Sequence, residues 1–288
     1  MFFACGMQQR RLMVLVVTTL AALLVSGCGG GDGASQEDSA EATITTTEDT
    51  EQAPEDVLNA ALEKSFEESG APGVVAAVQT PDYTWIRALG VADRTSEDPM
   101  TPDVYHRIGS VNKTFTGTLL LQAEAEGLLS LDDTIDRYVD GVPNGDKITL
   151  RQMADMTSGV ADYSQTEQFD DELTTDPYQV WEPEQLVQIG LKDSPLFDPG
   201  TEWQYSNTNY ILLGLVLEQV TDETIGQLYR ERIIEPLGLQ GTSFPDLADS
   251  SLPDPHAQGY TLKGQSSGGE PLDTTDWNFS WASPPPAR

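Results

Sequence analysis

Cysteine and histidine are nearly absent from this chain, and positive charge is scarce. Its 288 residues contain two cysteines, Cys5 and Cys28, and two histidines, His106 and His256. Cys5 lies in a segment expected to be removed, so the mature chain has no pair to bridge and depends on its core. Two histidines and scattered carboxylates give no ligand spacing for a metal, and no cofactor is expected. Fifteen lysines and arginines stand against 47 aspartates and glutamates, a formal net charge of −32, which speaks against nucleic acid as a partner. A serine nucleophile served by histidine is disfavoured as well. No G-x-S-x-G elbow is present, and both histidines read as structural.

Long apolar runs are also missing after the first residues. Met1 to Gly27 has a basic start at Arg10 and Arg11 and an apolar stretch from Leu12 to Val25, and it ends Val25-Ser26-Gly27-Cys28. The stretch is short for a bilayer span and reads as a signal peptide over residues 1–27. Its end resembles a bacterial lipobox, which implies lipid attachment at Cys28 and an exported protein anchored to the outer face of the cell membrane. Residues 28–54, rich in small and acidic residues and carrying Thr45-Thr46-Thr47, read as a disordered tether.

From residue 55 the pattern becomes that of a packed domain, which runs to 282. Val57, Leu58, Ala61, Leu62 and Phe66 form one helical face ending at Gly70. Gly73 to Gln79 and Thr84 to Ala92 read as strands joined by a Pro81-Asp82 turn. Ser130 to Asp133 and Thr149 to Gln152 read as capping boxes opening short helices. Thr157 to Pro199 lacks periodicity. Its Tyr163, Phe169, Tyr178 and Trp181 are read either as walls of a cleft or as aromatics covering the core edge. Ile211 to Val220 and Ile225 to Ile234 read as scaffold helices.

The chemistry centres on Arg107-Ile108-Gly109-Ser110-Val111-Asn112-Lys113. Gly109 allows a tight entrance to a helix whose stripe is Phe115, Leu119 and Ala123 and which ends near Gly127. Ser110 and Lys113, three residues apart, then share one face. A serine hydroxyl needs a neighbouring base, and a lysine one turn away can serve as one. The competing reading is an N-terminal serine cap followed by a solvated lysine. Downstream, Pro199-Gly200-Thr201-Glu202-Trp203-Gln204-Tyr205-Ser206-Asn207-Thr208-Asn209-Tyr210 places a Y-x-N element, Tyr205 and Asn207, in a turn before the helix at Ile211.

These two stretches, in this order, resemble the penicillin-recognising serine hydrolases, and within them the class C β-lactamase-like branch that includes D-alanyl-D-alanine carboxypeptidases. Ile148 to Met153 leading to Thr157-Ser158-Gly159 agrees, as does Glu235-Pro236-Leu237-Gly238-Leu239 leading to Thr242-Ser243-Phe244. The stretch from Pro255 to Tyr260, with Ser280 to Ala282, is most similar to the carboxypeptidases. The resemblance implies an α/β (α+β) fold of the β-lactamase/transpeptidase type, with an antiparallel sheet flanked by helices, an all-helical half, and the site between them. It implies Ser110 as nucleophile, Lys113 and Tyr205 sharing the roles of base and proton shuttle, and Asn207 orienting the lysine and the substrate. The expected partner is a peptidoglycan stem peptide ending in D-alanyl-D-alanine, or a β-lactam, met by a monomer.

The family closes its site with an H-x-G or K-T-G triplet on a strand, and no such triplet occurs in this sequence. The last residues, 283–288, Ser-Pro-Pro-Pro-Ala-Arg, are expected to be an aberrant tail of a chain truncated before the last strands and closing helix. Losing one oxyanion donor alone costs about a hundredfold to a thousandfold in rate, so impaired turnover is expected. The alternatives are a β-lactamase or esterase of the same family and, from another class, a lipoprotein that binds penicillin or cell-wall peptide without turnover, or an inactive fragment.

Overall fold

Two short runs rich in β-branched and apolar residues, joined by a Pro-Asp turn, build the first sheet. In the computed structural model, which describes residues 2–3, 54–261 and 271–282, β2 (Gly73–Gln79) and β3 (Thr84–Gly90) pair antiparallel from Gly73 opposite Gly90 to Gln79 opposite Thr84. The turn is closed by Thr80 N–H donating to the Tyr83 carbonyl at 2.8 Å. The helix α1 (Pro54–Ser69) opens with Glu55 and Asp56, which suit the positive end of its dipole. It lies on this hairpin, where the buried Trp85 donates its indole N–H to Asn59 at 3.0 Å. The expected helical face narrows there to Leu58, Leu62 and Phe66, and Val57 and Ala61 are exposed. A two-stranded ribbon offers room for one stripe at i, i+4, i+8 and no more.

Two further antiparallel sheets are small. β1 (Phe2–Phe3) pairs with β4 (His106–Arg107) and with β5 (Thr242–Ser243), and β6 (Tyr260–Thr261) pairs with β7 (Leu272–Asp273). Two-residue strands are too short to show a period-2 pattern. The rest of the expected signal peptide, the acidic stretch to residue 53 including Cys28, and residues 283–288 lie outside the described residues.

The larger part of the molecule is helical. It comprises α2 (Lys113–Ala125), α3 (Leu150–Ala154), α4 (Glu167–Thr175), α5 (Pro183–Gly190), α6 (Asn207–Thr221) and α7 (Ile225–Tyr229), which runs on into a π-helical turn at Arg230–Ile234. α6 is the central element. Its residues from Thr208 to Gly214 are all buried, with Val216 and Leu217, and it packs against α2, α3 and α5. A helix apolar nearly all round has to sit inside others.

Four expectations are corrected here. α6 starts at Asn207, four residues before the apolar run, because its first turn is made of polar residues, Thr208 and Asn209 buried among them, that hydropathy does not register. The stretch from Thr157 to Pro199 holds two helices. Thr166 caps α4 by accepting from Phe169 N–H, and α5 opens on Pro183 with a capping box between Glu182 and Gln185. Ser130 to Asp133 makes the reciprocal bonds of a cap without a helix: Ser130 N–H reaches the Asp133 carboxylate at 2.9 Å, and Asp132 N–H reaches Ser130 Oγ at 3.2 Å. There the backbone pairs sideways, Ile135 N–H with the Ile148 carbonyl and Leu150 N–H with that of Asp133, which leaves a short 3-10 turn at Ile135–Arg137. Ile225 to Ile234 divides into α7 and the π-helical turn.

The box at Thr149 does form, with Thr149 Oγ1 accepting from Gln152 N–H and the Gln152 side chain accepting from Thr149 N–H. Thr149→Ala is expected to lower unfolding free energy by about 1 kcal/mol in urea titration, with the m-value unchanged.

Candidate active site

A left-handed glycine starts the site. Gly109, at φ +52°, turns the chain into a 3-10 helix over Gly109–Asn112, and α2 follows from Lys113. Ser110 therefore lies in the 3-10 entrance rather than in the α-helix. The Lys113 N–H donates to the Ser110 carbonyl, the i to i+3 bond of that geometry. In a 3-10 turn residues three apart eclipse, so Lys113 stands directly over Ser110. No side-chain cap bond occurs at either helix start, which removes the reading of Ser110 as a cap.

Lys113 Nζ donates to Ser110 Oγ at 3.2 Å and to Asn207 Oδ1 at 2.7 Å. It also lies 5.0 Å from the ring centre of Tyr205 and 5.5 Å from that of Tyr210, within cation–π range. The Tyr205 hydroxyl donates to Ser110 Oγ at 2.7 Å. The four residues Ser110, Lys113, Tyr205 and Asn207 thus form one hydrogen-bonded group. His106 and His256 take no part in it; His106 has a buried Nε2 and its pKa is lowered by burial. Ser110 is exposed, while Lys113, Tyr205 and Asn207 are half-buried.

The Y-x-N element is held from behind. The Met156 carbonyl accepts from Gln204 N–H at 3.0 Å, and Met156 Sδ from Ser206 N–H at 3.4 Å, so the residues either side of Tyr205 are both fixed to Met156. Ser206 is fully buried and donates its hydroxyl to the Ala161 carbonyl at 3.1 Å. Asn207, first residue of α6, donates its Nδ2 to both oxygens of Asp162, at 3.3 and 3.0 Å, and to Ser164 Oγ at 3.1 Å. Sequence reasoning missed Met156, Asp162 and Ser164, which carry no local signal of their own and lie close to the Thr157-Ser158-Gly159 run without being marked by it.

Of the four aromatics weighed as cleft walls, three belong to the core. Tyr163, Phe169 and Trp181 are buried, and the Phe169 ring lies 5.3 Å from that of Tyr163, 5.2 Å from Trp181 and 5.6 Å from Trp281. Tyr178 is exposed. The Tyr163 hydroxyl donates to the Trp281 carbonyl. Burial chiefly, then the nearby Asp162 and Tyr205, raises the Tyr163 pKa, and burial does the same for Tyr210, whose hydroxyl donates to the Ala154 carbonyl at 3.0 Å. Both remain neutral donors, and Tyr205 is the phenol in contact with the serine.

Gly159 sits at φ +79°, and a Cβ there would come within 2.2 Å of the Phe197 carbonyl oxygen. Gly159→Ala is expected to cost at least about 2 kcal/mol in thermal unfolding, since both the backbone angle and the space exclude a side chain. Among the described residues no group of three or more His, Cys, Asp or Glu is placed to hold a metal.

A family model described as Beta-lactamase matches residues 58–281. Among curated proteins, Penicillin-binding protein 4* of Bacillus subtilis is 26% identical over 172 residues, 59% of this chain and 37% of that protein. D-aminopeptidase of Brucella anthropi is 32% identical over 199 residues, 68% of this chain and 37% of its own length. The chain spans about two fifths of the length of these curated relatives. Among solved structures, a D-stereospecific amidohydrolase from Streptomyces sp. superposes with a TM-score of 0.70 at 33% identity, covering 79% of this chain and 67% of that one.

Proposed function

Because the chain belongs to the beta-lactamase family of serine hydrolases, we propose that it cleaves amide bonds next to D-amino acids, as in D-alanyl-D-alanine peptides, and that β-lactams acylate it. The observation that carries this reading is the Ser110 hydroxyl held between Tyr205 at 2.7 Å and Lys113 at 3.2 Å. The names of the relatives support the substrate class.

Ser110 Oγ attacks the carbonyl carbon and forms the C–O bond. Its proton passes into the Lys113–Tyr205 pair, which returns a proton to the leaving nitrogen as the C–N bond breaks. The free amine departs, or, with a β-lactam, the opened ring stays attached. Water then attacks the ester on Ser110, gives up a proton to the same pair, and releases the acid and the serine hydroxyl. Asn207 Oδ1 holds the lysine amine in place. Attachment through a lipid on Cys28 is part of this proposal, and mass spectrometry of membrane-extracted protein checks it.

The test is intact-mass spectrometry after incubation with benzylpenicillin, with peptide mapping of any adduct and an assay of D-alanine released from a D-alanyl-D-alanine peptide. An adduct on the peptide containing Ser110 together with D-alanine release supports the reading. A stable adduct without release would favour a penicillin binder without turnover. A folded protein with no adduct and no release overturns the proposal.

A further inference from the structure

A side-chain amide has two ends of nearly the same shape and opposite hydrogen-bonding sense, so its orientation is decided by its neighbours. At Asn207 the NH2 end meets three acceptors: Asp162 Oδ2 at 3.0 Å, Asp162 Oδ1 at 3.3 Å and Ser164 Oγ at 3.1 Å. The carbonyl end meets Lys113 Nζ at 2.7 Å. Turning the amide over would set its carbonyl against a carboxylate and its NH2 against an amine, losing the charge-assisted bonds at both ends.

We infer that Asp162 is a positioning residue for the reaction, fixing the Asn207 amide so that its carbonyl holds the Lys113 amine against Ser110. This rests on the reading of Ser110, Lys113 and Tyr205 as the reacting group. Asp162 touches none of the reacting atoms and acts through Asn207. Its own placement is rigid. It is only 7% exposed and accepts the Ser164 N–H at 3.0 Å, which opens the 3-10 turn Tyr163–Gln165. That turn is tied to α6 by the Tyr163 N–H, which donates to Thr208 Oγ1 at 3.0 Å, and to the aromatic cluster by the Tyr163 ring. A carboxylate on a turn bonded to the helix that carries Asn207 moves with it, so the distance between them is preserved.

Asp162→Asn keeps the shape and removes the requirement. An amide at 162 can donate as well as accept, and the Asn207 amide becomes free to turn. A misplacement of about 1 Å at a reacting group costs on the order of a hundredfold, and that is the loss expected in the second-order rate constant for acylation by benzylpenicillin. The constant is measured for the parent, Asp162→Asn, Asn207→Ala and the double variant, with melting temperatures recorded for all four. If Asp162 acts through Asn207, the double variant is acylated within about twofold of Asn207→Ala, because the two losses do not add for residues that work as a unit. Losses that multiply, or a parental rate in Asp162→Asn, overturn the inference.

A second readout does not depend on catalysis. In the 15N-labelled protein the Asn207 side-chain NH2 signal, identified by its disappearance in Asn207→Ala, is expected to exchange with water at least tenfold more slowly in the parent than in Asp162→Asn. Equal exchange overturns the inference even if the parent reacts. A slow exchange in a parent that forms no adduct would sustain the amide lock while sinking the hydrolase reading.

Discussion

Ser110→Ala is expected to abolish the benzylpenicillin adduct and to bring amide hydrolysis down by on the order of a millionfold, the loss seen when a serine nucleophile is removed from a group of residues that act together. The size follows from the geometry. Lys113 and Tyr205 both aim their polar atoms at Ser110 Oγ, so with the oxygen gone neither has an atom to deliver a proton to or take one from. For the same reason the double variant Ser110→Ala, Lys113→Ala should be no worse than the single one. The substitution should leave the fold intact, because Ser110 is exposed and its side chain caps no helix. The melting temperature should stay within a few degrees of the parent value, which separates loss of chemistry from loss of structure. Residual acylation above a hundredth of the parental rate would show that another residue carries the acyl group.

Phe169→Ala is expected to have the largest effect on stability, about 3–5 kcal/mol. The ring is buried and stands between Tyr163, Trp181 and Trp281, with centroid distances of 5.2 to 5.6 Å, two of the three contacts edge-on. Removing it leaves a cavity that three rigid aromatics cannot close by small shifts, and it takes away the edge-to-face contacts as well. Against a total of about 5–15 kcal/mol for a domain of ordinary stability, the loss is about a fifth or more. Denaturant unfolding of parent and variant measures it. A loss below about 1 kcal/mol would mean that the cluster repacks. Tyr163 follows Asp162 directly, so the variant should also be acylated more slowly while still folded.

What could be read in advance depended on range. Ser110 and Lys113 are three residues apart, and the helical period alone brings them together. The hairpin was legible for a similar reason: two short apolar runs and the Pro-Asp turn between them set the strands at Gly73–Gln79 and from Thr84, with the second ending at Gly90 instead of Ala92. Tyr205 and Asn207 have no local relation to Ser110, and a family likeness was needed to bring them to it. Asp162 is one carboxylate among 47 acidic residues, and nothing near it in sequence marks it as the partner of an amide in α6. α4 was hidden because its buried face is only Phe169 and Leu173, too short a stripe for periodicity to register.

The two bonds that draw the site together join positions far apart in the chain, Lys113 to Asn207 across 94 residues and Ser110 to Tyr205 across 95. Closing a loop of that length costs entropy that local contacts do not recover, so these bonds form after α3, α4 and α5, which lie between them. The capacity to be acylated is therefore acquired late in refolding, behind the recovery of helical circular dichroism. In a stopped-flow refolding experiment trapped with a β-lactam at successive delays, adduct yield should lag the ellipticity signal, and the reaction then serves as a clock for the last stage of assembly.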